Sequence, residues 1–196
     1  NKINHQYLHF PRTDSPVFGE LIARFLRGEM GDIGNVDPYL IALMYAGDRF
    51  DASEMIKEWL KKDYFVLVDR YVISNIAFQC AKLNRRSEKL KLKDWILKLE
   101  FENYHLPVPE INLFLDVPTN FTVKQLTGVR EGQDRNYLKG SKDIHEKDLD
   151  FQQKVRNIYL TLCNDIPGFK ILKCYDERGK MLHPEKIFHQ ILKILF

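Results

Sequence analysis

Apolar positions along the chain fall into short unbroken runs separated by stripes with helical spacing. Tyr7-Leu8-His9-Phe10 predicts a strand, and Ser15-Pro16 then reads as an N-cap with proline at the first helical position, opening a helix to about Arg27 that Gly28 closes. Asp37-Pro38 predicts a second capped helix, carrying Tyr39, Leu40, Leu43, Met44 and Tyr45 and ending near Gly47-Asp48-Arg49. A further amphipathic helix over 51–62 turns Met55, Ile56, Trp59 and Leu60 inward. The run from Phe65 to Val68 stops on Asp69-Arg70-Tyr71 and then becomes a helix. Such a continuous run predicts a strand covered on both faces.

The charged stretch from Arg85 to Lys93 reads as a solvated helix start, followed by a helical segment over 94–104. Ile111 to Asp116 predicts a strand with an acidic end, and Val117-Pro118-Thr119 opens a short helix through Leu126. Residues 127–147 are polar and hold Gly128, Gly132 and Gly140 with Arg130, Arg135, Lys139 and Lys142, the pattern of a mobile cationic flap. An amphipathic helix from Asp148 to about Cys163, a last strand Phe169 to Cys174, and a helix opened by Pro184 complete the chain; the last helix places Ile187, Phe188, Ile191, Leu192 and Leu195 on one face. Strands alternating with helices predict an α/β fold, a parallel sheet covered by helices on both faces.

The 196 residues, 44% apolar and 29% charged, suit one globular domain over 1–196. The net charge of +3 and the absence of aromatics interleaved with basic patches argue against a nucleic-acid surface. Cys80, Cys163 and Cys174 lie far apart and outside any metal-binding spacing, which fits buried free thiols in a reducing cytoplasm. No stretch is long and apolar enough to cross a membrane, and the first residues lack both the apolar core of a secretory signal and a methionine.

Ligands of parallel sheets gather at the carboxyl ends of strands, where the acid and guanidinium of Asp69-Arg70 suit a metal and a phosphate; the same pair can also cap a helix. Tyr45 and Arg49 stand one helical turn apart, so that a flat ligand could stack on the ring and meet the arginine at its edge. Their structural alternatives are core packing for Tyr45 and an ion pair with Asp48 or Asp51 for Arg49. Phe10-Pro11-Arg12 puts another guanidinium just past a strand end.

In this order, Phe10-Pro11-Arg12, Tyr45 with Arg49, Asp69-Arg70-Tyr71 with Ser74 and Ala77-Phe78-Gln79, Leu113-Phe114-Leu115-Asp116, and the basic flap leading to Asp143-Ile144-His145-Glu146 resemble the thymidylate kinases, nucleoside monophosphate kinases of the P-loop NTPases. The resemblance implies ATP-dependent phosphorylation of dTMP to dTDP for dTTP synthesis, by direct in-line transfer with Mg²⁺, in a homodimer built through helices around 37 and after 65. It implies that Tyr45 stacks on thymine and Arg49 donates to a base carbonyl. Arg12 and Arg70 would hold the 5′-phosphate of dTMP, and Asp69 would stand beside the metal and the sugar. Ser74, Phe78 and Gln79 would line the base pocket, with Tyr71 crowding the sugar. Arg130 and Arg135 would reach the transferring phosphoryl from a lid over about 127–147, with Glu146 preferred to His145 for a lid contact and Lys139 and Lys142 left in solvent.

One part of the family pattern is missing. No glycine-rich loop ending Gly-Lys-Ser or Gly-Lys-Thr occurs; Gly179-Lys180 precedes Met181 and reads as a turn. The expectation is therefore a P-loop kinase fold whose phosphate-loop strand, loop and helix, roughly 30 residues, belong upstream of Asn1. Without that central strand two neighbouring strands would be left with unpaired inner edges. Two alternatives stay open: a nucleotide-binding module without catalysis, and a deoxynucleoside kinase. Arg12 and Arg70 together favour an acceptor that already carries a phosphate.

Overall fold

Strand β1 (His5–His9) lies parallel to β2 (Phe65–Asp69) in the register His5 to Phe65 through His9 to Asp69, and the Phe10 amide extends the ladder to the Asp69 carbonyl at 2.9 Å. Strands β3 (Asn112–Asp116) and β4 (Phe169–Lys173) form a second parallel pair. In this computed structural model, which describes residues 3–32, 34–127, 133–139, 143 and 148–196, no ladder joins the two pairs among the described residues.

Parallel neighbours need crossovers, and helices supply them. Helices α1 (Phe18–Leu26) and α2 (Pro38–Lys61) connect β1 to β2, while α5 (Thr119–Thr127) and α6 (Leu149–Leu162) connect β3 to β4. Between the pairs run α3 (Val72–Cys80), α4 (Arg86–Leu97) and a π-helical segment (Lys98–Asn103); α7 (Pro184–Leu195) ends the chain. Helix α3 is buried at all but one of its residues. Its Val72, Ile73 and Ile76 pack with Ala42, Leu92, Ile96, Leu162 and Phe169, and Phe114 leans on the same cluster, so α3 touches both halves of the molecule.

Asp37 caps α2 as predicted, its carboxylate accepting the Tyr39 amide at 2.7 Å with Pro38 behind it, and Asp148 caps α6 through the Phe151 amide at 2.9 Å. Four local expectations fail for identifiable reasons. Helix α2 does not end at Gly47 but runs on unbroken to Lys61. The glycine serves a close approach: a Cβ there would sit 2.3 Å from the Phe18 ring. Ser15 does not cap α1, which starts at Phe18; its hydroxyl is drawn instead to Asp48 at 3.3 Å. Ala52, Ser53 and Ile56 form the inner face of the second half of α2, leaving Met55 and Leu60 exposed, and Phe188 likewise points away from the buried side of α7.

The fourth concerns β2. Its residues alternate between exposed and half-buried, with Leu67 51% exposed, and across the ladder Tyr7 is 56% exposed. Helix α2 covers one face of this pair, and among the described residues the face carrying Tyr7 and Leu67 is open apart from a ring contact of Phe65 with Phe196. The apolar run thus marks a two-sided strand of which one side is covered here. Cys80, Cys163 and Cys174 are free, as expected, and burial pushes the Cys80 thiol up to about 12. Lys82, just past α3, buries its ammonium nitrogen without a hydrogen bond, 4.8 Å from the centre of the Phe25 ring.

Candidate active site

Helix α2 presents Tyr45 and Arg49 to one side of a narrow cavity, and the carboxyl end of β2 with the first turns of α3 presents the other. The lining holds Phe10, Pro11, Tyr45, Arg49, Arg70, Ser74, Asn75, Phe78 and Gln79. Six of these, Tyr45, Arg49, Arg70, Ser74, Phe78 and Gln79, are residues predicted from sequence for the acceptor site. The cavity measures about 20 Å³, above the roughly 10–15 Å³ that one water needs on this measure. Burial pushes the Tyr45 hydroxyl well above the ordinary phenol range, with the Asp143 carboxylate adding to the shift. Tyr45 therefore offers a neutral ring.

Arg49 is 2% exposed, and its partner is neither Asp48 nor Asp51 but Glu100, which is 0% exposed. Nε donates to Glu100 Oε2 at 2.5 Å and Nη2 to Oε1 at 2.7 Å, a bidentate pair. Asn75 Nδ2 donates to the same Oε1 at 3.0 Å and to the Ala42 carbonyl at 3.0 Å. The Asn75 and Gln79 side-chain oxygens remain without a partner on the cavity wall. Unsatisfied buried acceptors carry a real free-energy cost, and a ligand that donates to them removes it.

Asp48, the neighbour on α2, is equally buried and holds Arg12. It accepts the Arg12 amide and Nε at 2.9 Å each, and its main-chain carbonyl accepts Nη2 at 2.8 Å. Arg12 is thereby fixed past the end of β1, with Nη1 the nitrogen not engaged by Asp48.

Arg70 differs from both. It adopts φ 61°, the left-handed region, directly after β2. For a non-glycine residue that conformation costs on the order of 1–3 kcal/mol and tends to persist where function requires it. Its guanidinium is exposed, lies 5.2 Å from the centre of the Phe78 ring, and forms no ion pair among the described residues. Besides the narrow cavity it lines a larger one of about 240 Å³, bounded by Phe114, Asp116, Thr119, Arg156 and Tyr159. Asp116 is locked there by two bonds from Arg156 at 2.6 and 2.8 Å and one from Tyr175 at 3.1 Å. Asp69 points to the open face, where Oδ2 meets His9 Nδ1 at 2.9 Å and the Tyr7 hydroxyl at 3.3 Å. The His9 bond holds its carboxyl below the usual range, against partial burial, so Asp69 is ionised with Oδ1 uncommitted.

Tyr71 packs its ring against Phe10 and donates its hydroxyl to the Pro107 carbonyl at 3.2 Å, while Ser74 lines the narrow cavity. Of the expected lid contacts, Arg130, Lys142, His145 and Glu146 and the Arg135 side chain lie outside the described residues. The described turn Gln133–Leu138 is tied to α1, since Arg27 Nη1 donates to the Tyr137 carbonyl at 2.7 Å, and the Tyr137 hydroxyl donates to Asp143 at 3.0 Å. Lys139 is exposed, as expected.

A ring and an arginine from α2 with a strand-end arginine, around one small cavity, suit a flat anionic ligand. Comparison with known proteins agrees: the family profile described as thymidylate kinase matches residues 1–180. The chain belongs to the thymidylate kinase family. It is 31% identical over 156 residues to the thymidylate kinase of Mycobacterium tuberculosis, covering 79% of this chain and 70% of that protein. The solved structure of a thymidylate kinase from Candida albicans superposes with a TM-score of 0.71 at 22% identity, over 97% of this chain and 79% of that one. A thymidylate kinase structure from Ehrlichia chaffeensis gives 0.61 at 16% identity, over 98% and 82%. Thymidylate kinases thus share the P-loop kinase fold seen here.

Within this family site, sequence reasoning missed Asp48, Asn75 and Glu100. The signal was available for two of them. Leu92, Ile96 and Glu100 recur every fourth residue, as do Asp48 and Ala52, so each carboxylate stands on an apolar stripe where only a paired charge is tolerated. The identity of the partner, 51 residues away for Glu100, was not readable from spacing.

Proposed function

We propose that this chain transfers the γ-phosphoryl group of ATP to dTMP, yielding dTDP and ADP for dTTP synthesis. The observation that carries the reading is the placing of Arg70: an exposed guanidinium, free of ion pairs among the described residues, on the wall shared by the two cavities. Thymine enters between Tyr45 and Phe78, which part to admit it, and meets Arg49 with Ser74 and Gln79 alongside. The 5′-phosphate then lies against Arg70, with Arg12 on its outer side and Tyr71 next to the sugar. A phosphate oxygen of dTMP bonds to the γ-phosphorus as the bond to the bridging oxygen of ADP breaks. Positioning and neutralisation of two polyanions are the main tasks of such a site, and fixed guanidinium groups perform both. Arg130 and Arg135 of the lid add to that neutralisation.

Mg²⁺ fits the residues present. Among the described residues no cluster of three metal-ligating side chains exists, and Mg²⁺ characteristically takes one or two carboxylates plus phosphate oxygens and waters. Asp69, ionised with one oxygen uncommitted, is the carboxylate that would hold it. When bound, the ion would neutralise charge on the donor phosphates. Arg70 just past β2 and Asp116 at the end of β3 border the same cavity, and among the described residues the two strands share no ladder, which suits the family pattern of a further strand between them bearing a phosphate loop for the donor. A homodimer is supported by Leu40, Leu43 and Phe50, exposed apolar residues on α2. The free thiols fit a cytoplasmic setting.

Incubation of the whole protein with ATP and either dTMP or thymidine, with products separated by anion exchange, tests this reading. Formation of dTDP from dTMP without dTMP from thymidine is expected. Phosphorylation of thymidine would replace the reading by a deoxynucleoside kinase, and dTMP binding without turnover by a nucleotide-binding module.

A further inference from the structure

Glu100 stands out because a buried ion pair contributes little net stability and an apolar replacement of both partners is often neutral or better. Here the carboxylate is fully buried, sits on the π-helical segment, a geometry frequent at functional sites, and takes three hydrogen bonds: two from Arg49 and one from Asn75. Two consequences follow for the cavity. Glu100 cancels the charge of Arg49 and engages Nε and Nη2, leaving Nη1 as the nitrogen available to a ligand. It also takes one Asn75 amide hydrogen while the Ala42 carbonyl takes the other, so the Asn75 oxygen is turned out as an acceptor without a partner.

Arg49, Glu100 and Asn75 together therefore offer the cavity a donor and an acceptor with no net charge of their own, and the charge on its wall is that of Arg70. That suits a neutral pyrimidine, in which a carbonyl oxygen adjoins an N3 hydrogen. A base that has lost the N3 proton presents lone pairs to the Asn75 oxygen and is repelled. We propose that Glu100 is a specificity-determining positioning residue, which makes the acceptor site select the neutral form of the pyrimidine base. This rests on the reading that Arg49 meets the base of dTMP. The other ionisable groups around the pair include Tyr45 on α2, Arg70 and Tyr71 at the β2–α3 junction, Asp143 beside Tyr45, and Arg12, which pairs with Asp48 and lies near the same Phe10 ring as Arg49. Burial holds both phenols neutral through and above neutral pH.

The test uses dTMP and the monophosphate of 5-bromodeoxyuridine, a base of similar size whose N3 is more acidic. Affinities are measured by calorimetry on the whole protein from mildly acidic to mildly alkaline pH. The wild type is expected to lose affinity for the bromo compound as N3 ionises while keeping dTMP. Glu100→Gln is expected to weaken dTMP on the order of tenfold, and to bind the bromo compound more tightly as pH rises. The double variant Arg49→Met, Glu100→Met keeps the volume without either charge; it is expected to lose dTMP affinity and to show no fall with pH for the bromo compound. A folded Glu100→Gln with wild-type affinities and pH slopes overturns the inference, and if that variant does not fold, a double variant that retains the wild-type fall overturns it equally. A double variant that binds dTMP like the wild type instead removes Arg49 from the base site, which is failure of the underlying reading.

Discussion

Arg49 and Arg70 line the same small cavity, yet they solve the problem of placing a cation there in opposite ways. Arg49 is buried and neutralised by Glu100 in a bidentate pair. Arg70 is exposed, held in left-handed backbone geometry, and rests on the face of Phe78. A ligand that needs a hydrogen-bond donor without net charge suits the first, and one that brings charge of its own suits the second. Lys82 completes the contrast as a buried cation without an ion pair among the described residues: burial, only partly offset by Asp37, pushes its ammonium down to about 7.

The largest effect is expected at Arg49. Arg49→Ala leaves the Glu100 carboxylate buried and alone, a loss of about 3–5 kcal/mol; calorimetric unfolding reads it directly, and an unchanged melting temperature would show that the pair is not structural. Arg70→Ala should do the reverse, lowering kcat by about 10²–10³ while unfolding stays close to wild type. Full activity in that variant would remove Arg70 from the phosphate.

Smaller effects sharpen the comparison. For Lys82 the folded pKa lies below its unfolded value, so the unfolded chain binds more protons between about pH 7 and about 10.4. Stability therefore rises with pH across that window. Lys82→Met should raise Tm by about 2–4 °C at and below neutral pH, a gain that shrinks as pH increases; a pH-independent difference would contradict it. Arg70→Gly should be more stable than Arg70→Ala by about 1 kcal/mol, because glycine enters the left-handed region without strain, and equal stabilities would mean that the backbone relaxes when the side chain is lost.

The order of strands and helices, the caps at Asp37 and Asp148, and the convergence of Tyr45, Arg49, Arg70, Ser74, Phe78 and Gln79 were legible because they depend on local periodicity and on a family pattern. What escaped was pairing over distance. Arg12 with Asp48 and Arg49 with Glu100 join segments 36 and 51 residues apart, and a charge on an apolar stripe announces that it has a partner without saying which. Glycines misled where tertiary contact overrode local preference, as at Gly47 under the Phe18 ring. The left-handed Arg70 had no sequence signature, since arginine is not a residue that favours it.

Among the described residues no ladder couples the amides of β1 and β2 to those of β3 and β4, so in hydrogen exchange these two units are coupled by what packs across both. Helix α3 is the seam that both units share, so its amides should exchange last, and only when the whole fold is lost.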